Sequence, residues 1–344
     1  MTKVTIIIPT YNRPNYLRRI LDYYREEKND FEIISADSSS DENKKLNKKI
    51  ISLFSNLKIL YLDNYPDKIN PWYKFADATN YAKSKYCLFC ADDDFITLNG
   101  INKAVDFLEN NPDFVVAHGR YMGFYLKTKK NGEKQFCWRP IYHQESIISP
   151  NPAVRLKSHL SNYLSPTIYA VYRIDFLKMI YKELLSSKVD PLLFGELLPS
   201  MITLIYGKMK RLDILYAARQ VYPKNGYWPS LMDFIKEGKY DQEYIKFRKC
   251  LATHLSKVAL MDAKEAEKII DDGMDVYLKN SFFNLNCKIK NAFNRLGLPF
   301  WLEEKIKSIY RTMFSAKPIK GFPDYLDGDD FNKIRNCVLS HSKK

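Results

Sequence analysis

In the first part of the chain, short runs of β-branched residues alternate with helix-length segments whose apolar positions recur three and four residues apart. Val4 to Pro9 is nearly continuous in apolar and β-branched residues, as expected of a strand covered on both faces. The polar loop Thr10-Tyr11-Asn12-Arg13-Pro14 follows, then a helical pattern with Tyr16, Leu17, Ile20, Leu21 and Tyr24 on one side. A second strand, Phe31 to Ala36, ends in Asp37-Ser38-Ser39-Ser40-Asp41 and leads into a lysine-rich helix to about Phe54. A third strand, Leu57 to Leu62, precedes a helix from about Trp72 to Lys83. A fourth begins at Tyr86 and stops at Asp92-Asp93-Asp94. Strands separated by helices in this way predict right-handed βαβ units and a parallel sheet whose polar loops gather at one edge.

The pattern then loosens. A helix from about Asn99 to Asn110 is predicted, followed by strands at Phe114 to His118, Tyr121 to Leu126 and Gln135 to Arg139, the last two joined by an Asn131-Gly132 hairpin. A short helix should follow Asn151-Pro152, a strand should occupy Thr167 to Tyr172, and Asp175 should cap a helix through Leu185. Leu192 to Tyr206 reads as one apolar helix carrying Glu196, with final strand material at Arg211 to Val221. From Trp228 onward only helices are expected, near Tyr240 to Met261, Ala263 to Lys279, Phe282 to Arg295 and Trp301 to Phe314. The predicted organisation is an α/β domain over 1–227 and a helical, basic region over 228–344.

Composition changes this picture mainly through charge. The chain carries 54 Lys and Arg against 40 Asp and Glu, a formal +14, which calls for an anionic partner. From Lys279 to Lys320 nine bases face two acids, a local excess of +7 and half of the total. Aromatic residues interleave with those bases, which suits either a helix lying in a membrane interface or a helical subdomain with its aromatics turned inward. No recognised nucleic-acid module accompanies the charge, so nucleic acid is not an expected partner. The start of the chain lacks the flanks of a signal peptide, and no stretch is long and apolar enough to span a bilayer. The expected location is cytoplasmic, in solution or peripheral on the cytoplasmic face of a membrane. Cys87 and Cys90 form a C-x-x-C inside a predicted strand, which reads as buried packing.

Three polar loops end three strands, at Thr10 to Arg13, Asp37 to Asp41 and Asp92 to Asp94, and one parallel sheet brings them to one crevice. Three consecutive carboxylates after a buried strand repel one another unless a cation or a set of donors meets them. The plain alternative is a solvated acidic turn, with Asp94 capping the next helix. The loop after the first strand has no glycine, which argues against a dinucleotide fingerprint and a P-loop. A diphosphate could instead be held through an oxygen-ligated divalent cation, and Asp92, Asp93 and Asp94 are a reasonable ligand set for Mn²⁺ or Mg²⁺.

Ile6-Ile7-Ile8-Pro9-Thr10-Tyr11-Asn12-Arg13-Pro14, then Asp37, then Tyr86 through Asp94, resembles the nucleotide-sugar half of the family 2 glycosyltransferases with the GT-A fold, in order and spacing over about residues 1 to 225. The resemblance implies a nucleotide-sugar half at 1–120 and an acceptor half at 121–227. It implies transfer of a sugar from a nucleotide diphosphate, UDP favoured, to a hydroxyl of a saccharide or lipid-linked glycan, with inversion and a divalent cation on the diphosphate. Pro9, Thr10, Tyr11 and Arg13 would line the base and ribose, Asp37 would contact the base, and Asp92 to Asp94 would be the Asp-x-Asp motif. The catalytic base would be Glu196, which precedes Gly207 by the family's spacing, with Asp190 as the alternative. Arg219 would face the donor phosphates or be a surface arginine.

This chain departs from the family pattern in places. Ala91 stands where many members have the first Asp, leaving the metal ligand open among the three aspartates. Gly195 replaces the usual acid before Glu196, and Ala76 falls where a donor-binding Asn is common, with Lys74 or Asn80 as substitutes. The Gln-x-x-Arg-Trp of processive synthases is missing, which points to addition of a single sugar. His118 and His143 would either touch the acceptor or be structural. The rival readings are a sugar-phosphate nucleotidyltransferase, which would need a Gly-rich loop after the first strand, and a non-catalytic sugar- or anion-binding module.

Overall fold

The computed structural model describes residues 3–25, 31–141, 144–164, 167–222, 231–283 and 328–342. The expected domain boundary near 228, His143, and the predicted helices and basic residues between 284 and 320 lie outside them.

The opening βαβ succession is present. β1 (Val4–Thr10), α1 (Pro14–Arg25), β2 (Glu32–Asp37), α2 (Asp41–Ser52), β3 (Lys58–Leu62), α3 (Pro71–Tyr81) and β4 (Tyr86–Phe89) follow in order. All three strand pairings among these are parallel, in the spatial order β3-β2-β1-β4. β1 and β4 are buried almost throughout, which is why they read as unbroken apolar runs. Asn70 caps α3 by accepting from Trp72 N–H, with Pro71 in the first turn where its missing N–H costs nothing.

After the aspartates come β5 (Phe95–Ile96), α4 (Leu98–Asn110), β6 (Phe114–Thr128) and β7 (Lys134–Ile141). The cap of α4 is Thr97, which accepts from Gly100 N–H, so Asp94 is not the cap. The two strands expected between Phe114 and Leu126 are one, with register shifts around His118 and Arg120. Gly119 sits at this irregularity, where a Cβ would lie 2.8 Å from both Ile214 O and Tyr216 Cβ. Next are α5 (Pro152–Ser161), β8 (Val171–Arg173), α6 (Ile174–Ser186), α7 (Pro191–Phe194), α8 (Leu197–Tyr206) and β9 (Lys208–Gln220). Thr167 to Ala170, expected in a strand, is a turn closed by Ala170 N–H on Thr167 O at 2.9 Å. Asp175 lies inside the first turn of α6, where it favours the helix dipole, and Arg173 holds the cap position.

Beyond β4 the sheet continues β8-β6-β9-β5, with β7 paired to β6, and becomes mixed: β8 runs antiparallel to β4 and β6, and β9 parallel to β6. The chain closes with α9 (Leu231–Lys236), α10 (Tyr240–Ala259), α11 (Ala263–Phe283) and α12 (Asp329–His341). α10 and α11 pack on α5, and α10 also on α8, with Phe194 and Phe247 stacked at 4.4 Å. α12, which the sequence pattern did not predict, returns to α1 and to β7, where Phe331 meets Phe136 and Trp138 edge-on. No described helix is long and apolar enough to cross a membrane.

Candidate active site

The parallel register sets Thr10 beside Asp37 at the ends of β1 and β2, while Ile7 pairs with Phe89 near the end of β4. The three polar loops therefore meet. Thr10 Oγ1 donates to Asp92 Oδ2 at 2.6 Å, and Ser38 N–H reaches Thr10 O at 3.3 Å. Lys74, on α3, is buried and donates to Thr10 O and Ser38 Oγ, both at 2.9 Å. Burial pushes its ammonium down to about 8, against the pull of Asp37 and Asp92. Pro9 is half-buried opposite Ala36, and Tyr11 is exposed. Asp37 is fully buried, with Oδ1 accepting from Ser39 N–H and Oδ2 from Asn47 and Tyr61, all at 2.7 Å.

The two-residue strand β5, too short to stand out in the sequence, aligns Phe95 with Ala218 of β9 and so carries the aspartates to the end of that strand. There Asp94 is surrounded: Oδ1 accepts from Gln220 N–H at 2.7 Å, and Oδ2 from Tyr169 Oη at 2.7 Å and Arg219 Nε at 3.1 Å. Arg219 also lies over the Tyr169 ring at 5.0 Å. It is neither a plain surface arginine nor free of the acid cluster. Asp93 Oδ2 accepts from Arg13 at 2.7 Å and Tyr222 Oη at 2.9 Å, while Oδ1 has no partner among the described residues. Arg13 reaches Asp92 Oδ1 more distantly, at 3.4 Å. Arg19, buried in α1, donates to Asp93 O at 2.7 Å and so fixes the backbone of the turn.

Burial raises the proton affinity of Asp92 and Asp94. It pushes the Asp92 carboxyl up to about 7, with Asp93 adding to the effect and Thr10 and Arg13 opposing it. Asp94 moves in the same direction, for burial first, against the pull of Arg219. The trio is thus met by a set of donors, as the sequence required, and is not a solvated turn.

Glu196 differs from its expected setting in one respect. The single helix predicted over Leu192 to Tyr206 is broken into α7 and α8, and Glu196 occupies the N-cap position of α8. The break lies at Gly195, where a Cβ would fall 2.2 Å from Pro191 O and 2.4 Å from the Trp72 indole. The side chain absent from Gly195 is therefore space taken by Trp72. Glu196 retains exposed surface although protein surrounds most of it, and its carboxylate has no hydrogen bond or ion pair among the described residues. Burial raises its pKa, and the charge of Arg219 opposes the rise. It lines a cavity of about 160 Å³ with Trp72, Tyr163, Leu192 and Tyr277. The buried Trp72 Nε1 there has no partner among the described residues. Asp190 is engaged as the cap of α7, accepting from Leu192 N–H at 2.8 Å. His118 is buried with Nδ1 2.9 Å from Gly119 O, and burial pushes it down to about 4, so it is structural.

Arg19, Tyr169 and Tyr222 touch the acid cluster and were not singled out from the sequence. Arg19 alone gave a signal, as a charge placed three and four residues from Tyr16 and Tyr23 on α1.

Residues 5–169 match the family model described as Glycosyl transferase family 2. No curated protein matches the chain. Among solved structures it is similar to S. aureus TarS 1-349, with 17% identity, a TM-score of 0.54, and coverage of 99% of this chain and 91% of that one. The same fragment in complex with UDP-GlcNAc gives 16% identity, a TM-score of 0.51, and 99% and 92% coverage. Against the longer S. aureus TarS structure the figures are 17%, 0.51, and 82% of this chain, but only 44% of that one. The chain thus spans under half the length of that relative. These likenesses extend the common architecture past residue 169, and the family match falls on the segment that supplies all three converging loops. Residues 5–169 thus match the family 2 glycosyltransferases, within a fold of GT-A-like architecture.

Proposed function

We propose that this protein transfers one sugar, with inversion, from a nucleotide-diphosphate sugar to a hydroxyl of a saccharide or lipid-linked glycan, with a divalent cation at the aspartates and Glu196 as base. The observation that carries the reading is the place of Arg219. Its guanidinium holds Asp94 at 3.1 Å, and its charge opposes the rise in proton affinity that burial gives Glu196, so one side chain acts on both a donor-side acid and the base candidate.

The aspartates fit Mn²⁺ or Mg²⁺, which take oxygen ligands. Asp94 is committed on both oxygens, whereas Asp93 keeps Oδ1 uncommitted and is 9% exposed, against 3% for each neighbour. Asp93 is thus the leading ligand, with Asp92 beside it. Such an ion would neutralise charge developing on the leaving diphosphate. Arg13, with nearly half of its side chain exposed, can exchange an aspartate for a donor phosphate, and Lys74 adds a buried positive charge beneath Thr10. Asp37 would contact a base by giving up one of its three present bonds.

The acceptor oxygen forms its bond to the anomeric carbon as the bond from that carbon to the diphosphate oxygen breaks. Glu196 takes the acceptor's proton, and the electron pair departs with the nucleoside diphosphate. A carboxylate of raised pKa without a competing partner suits that role. The unpaired Trp72 Nε1 in the same cavity would donate to an acceptor hydroxyl. The TarS fragment binding UDP-GlcNAc on the same fold supports a UDP-sugar as donor. The lipid-linked form of the acceptor rests on the basic, aromatic segment 279–320, whose charge would draw it to anionic lipid.

Steady-state transfer from UDP-sugars with Mn²⁺ tests the reading. Glu196→Gln should lower kcat by roughly 10²- to 10⁴-fold and leave donor KM unchanged. Full kcat in that variant would remove Glu196 as the base.

A further inference from the structure

We propose that Glu183, Cys250 and His254 form a zinc site that fastens α10 to α6, sharing no residue with the transfer site. Cys250 and His254 lie four residues apart on α10, on one face, and Glu183 meets them from α6. One potential ligand atom from each lies within 4.8 Å of the others, and His254 Nε2 is 3.4 Å from a Glu183 oxygen. Tetrahedral zinc with bonds of about 2.0–2.3 Å separates its ligand atoms by roughly 3.5 Å, so small side-chain rotations close the set. The mix of nitrogen, sulfur and carboxylate oxygen suits zinc and not the all-oxygen preference of magnesium.

The imidazole is already oriented. Tyr206 Oη lies 2.8 Å from His254 Nδ1, the outer contact that fixes a metal-binding histidine and leaves Nε2 facing the site. A simple Tyr206–His254–Glu183 chain of hydrogen bonds accounts for both ring nitrogens, yet it leaves the Cys250 thiol with no hydrogen bond among the described residues. On binding, the thiol releases its proton to solvent as the Zn–S bond forms, neutral His254 binds through Nε2 while Nδ1–H donates to Tyr206, and Glu183 supplies an oxygen. The two anionic ligands balance the ion's charge. A fourth position opens to a cleft of about 660 Å³ rimmed by Lys188, Lys246, Lys249 and Lys257, and it takes water or a small anion. Lys246 is already paired with Glu243 at 2.6 Å, which lessens the positive field at the site.

The test is titration of the full chain, stripped of metal, with Co²⁺ followed by Zn²⁺. The expected result is one equivalent of Co²⁺ showing a thiolate-to-cobalt charge-transfer band, lost when Zn²⁺ displaces it. Cys250→Ser and His254→Gln should lack the band. Tyr206→Phe should keep it while weakening Zn²⁺ binding roughly 10- to 100-fold. Asp93→Asn should leave it unchanged, which separates this site from oxygen ligation at the transfer site. No band in folded wild type, a band surviving Cys250→Ser, or unaltered affinity in Tyr206→Phe would each overturn the proposal. The Tyr206→Phe affinity decides the matter if the ligand variants fail to fold.

Discussion

Lys74 shows how one buried side chain can set the pH range of donor binding. Its ammonium donates to Thr10 O and Ser38 Oγ, and burial brings its pKa down to about 8. If that charge supports the donor phosphates, donor KM should be flat below pH 8 and rise above it, and Lys74→Met should raise KM and flatten the profile. The stability effect has the opposite sense. The folded pKa lies below the ordinary 10.5, so the unfolded chain binds the proton more readily between about 8 and 10.5, and this group's contribution to stability rises with pH through that window. Residues of this kind differ in how well the sequence revealed them. Asp92, Asp93 and Asp94 stood out because three charges at the end of a buried strand are costly without partners. Tyr169 and Tyr222, two of 25 tyrosines, carry no spacing or charge that marks them, and only folding brings them to the aspartates.

Elements were most legible where both faces of the chain are buried, as in β1 and β4, and least where tertiary contact overrides local pattern. β5 has two residues, and its pairing with β9 is what places Asp94 against Gln220. The break between α7 and α8 was hidden because Leu192 to Tyr206 is mostly apolar, and its polar positions Glu196, Ser200 and Thr203 keep a helical spacing. Gly195 was visible only as a departure from the family, and its cause lies across the fold in Trp72. Gly195→Ala should therefore cost about 1–3 kcal/mol, read as a lower urea midpoint, and should also lower kcat by moving Glu196. A midpoint equal to wild type would show that Trp72 yields easily. Within α5, His159 is fully buried with neither ring nitrogen paired among the described residues, and burial pushes it down to about 3. Between there and 6.5 the unfolded chain binds more protons than the folded one, so stability should fall as pH drops through that range. Urea midpoints at pH 7, 5 and 4 should decline less steeply in His159→Phe, and an unchanged slope would assign the acid sensitivity elsewhere.

Across the whole molecule, the parallel strands β3-β2-β1-β4 present Thr10, Asp37 and Asp92 at one edge, and β9 in the mixed part of the sheet supplies Arg219. The alternation of strand and helix in sequence predicted the first half because each unit there is local. The second half is assembled by long-range pairings such as β6 with β9, which leave little trace in local pattern. α12 likewise joins the fold from more than three hundred residues away, with Cys337 Sγ at Arg19 O, 3.5 Å, over the helix whose Arg19 holds the Asp93 backbone. Metal-assisted transfer at this site requires Asp93 to be the carboxylate left available for a cation that grips a leaving diphosphate. Calorimetric titration of UDP with and without Mn²⁺, into wild type, Asp93→Asn and Asp94→Asn, tests this most directly. Mn²⁺ should tighten UDP binding to wild type, and Asp93→Asn should bind UDP equally with and without the metal. Asp94→Asn should lose stability while keeping part of the metal effect. A metal effect of full size in Asp93→Asn would contradict the account.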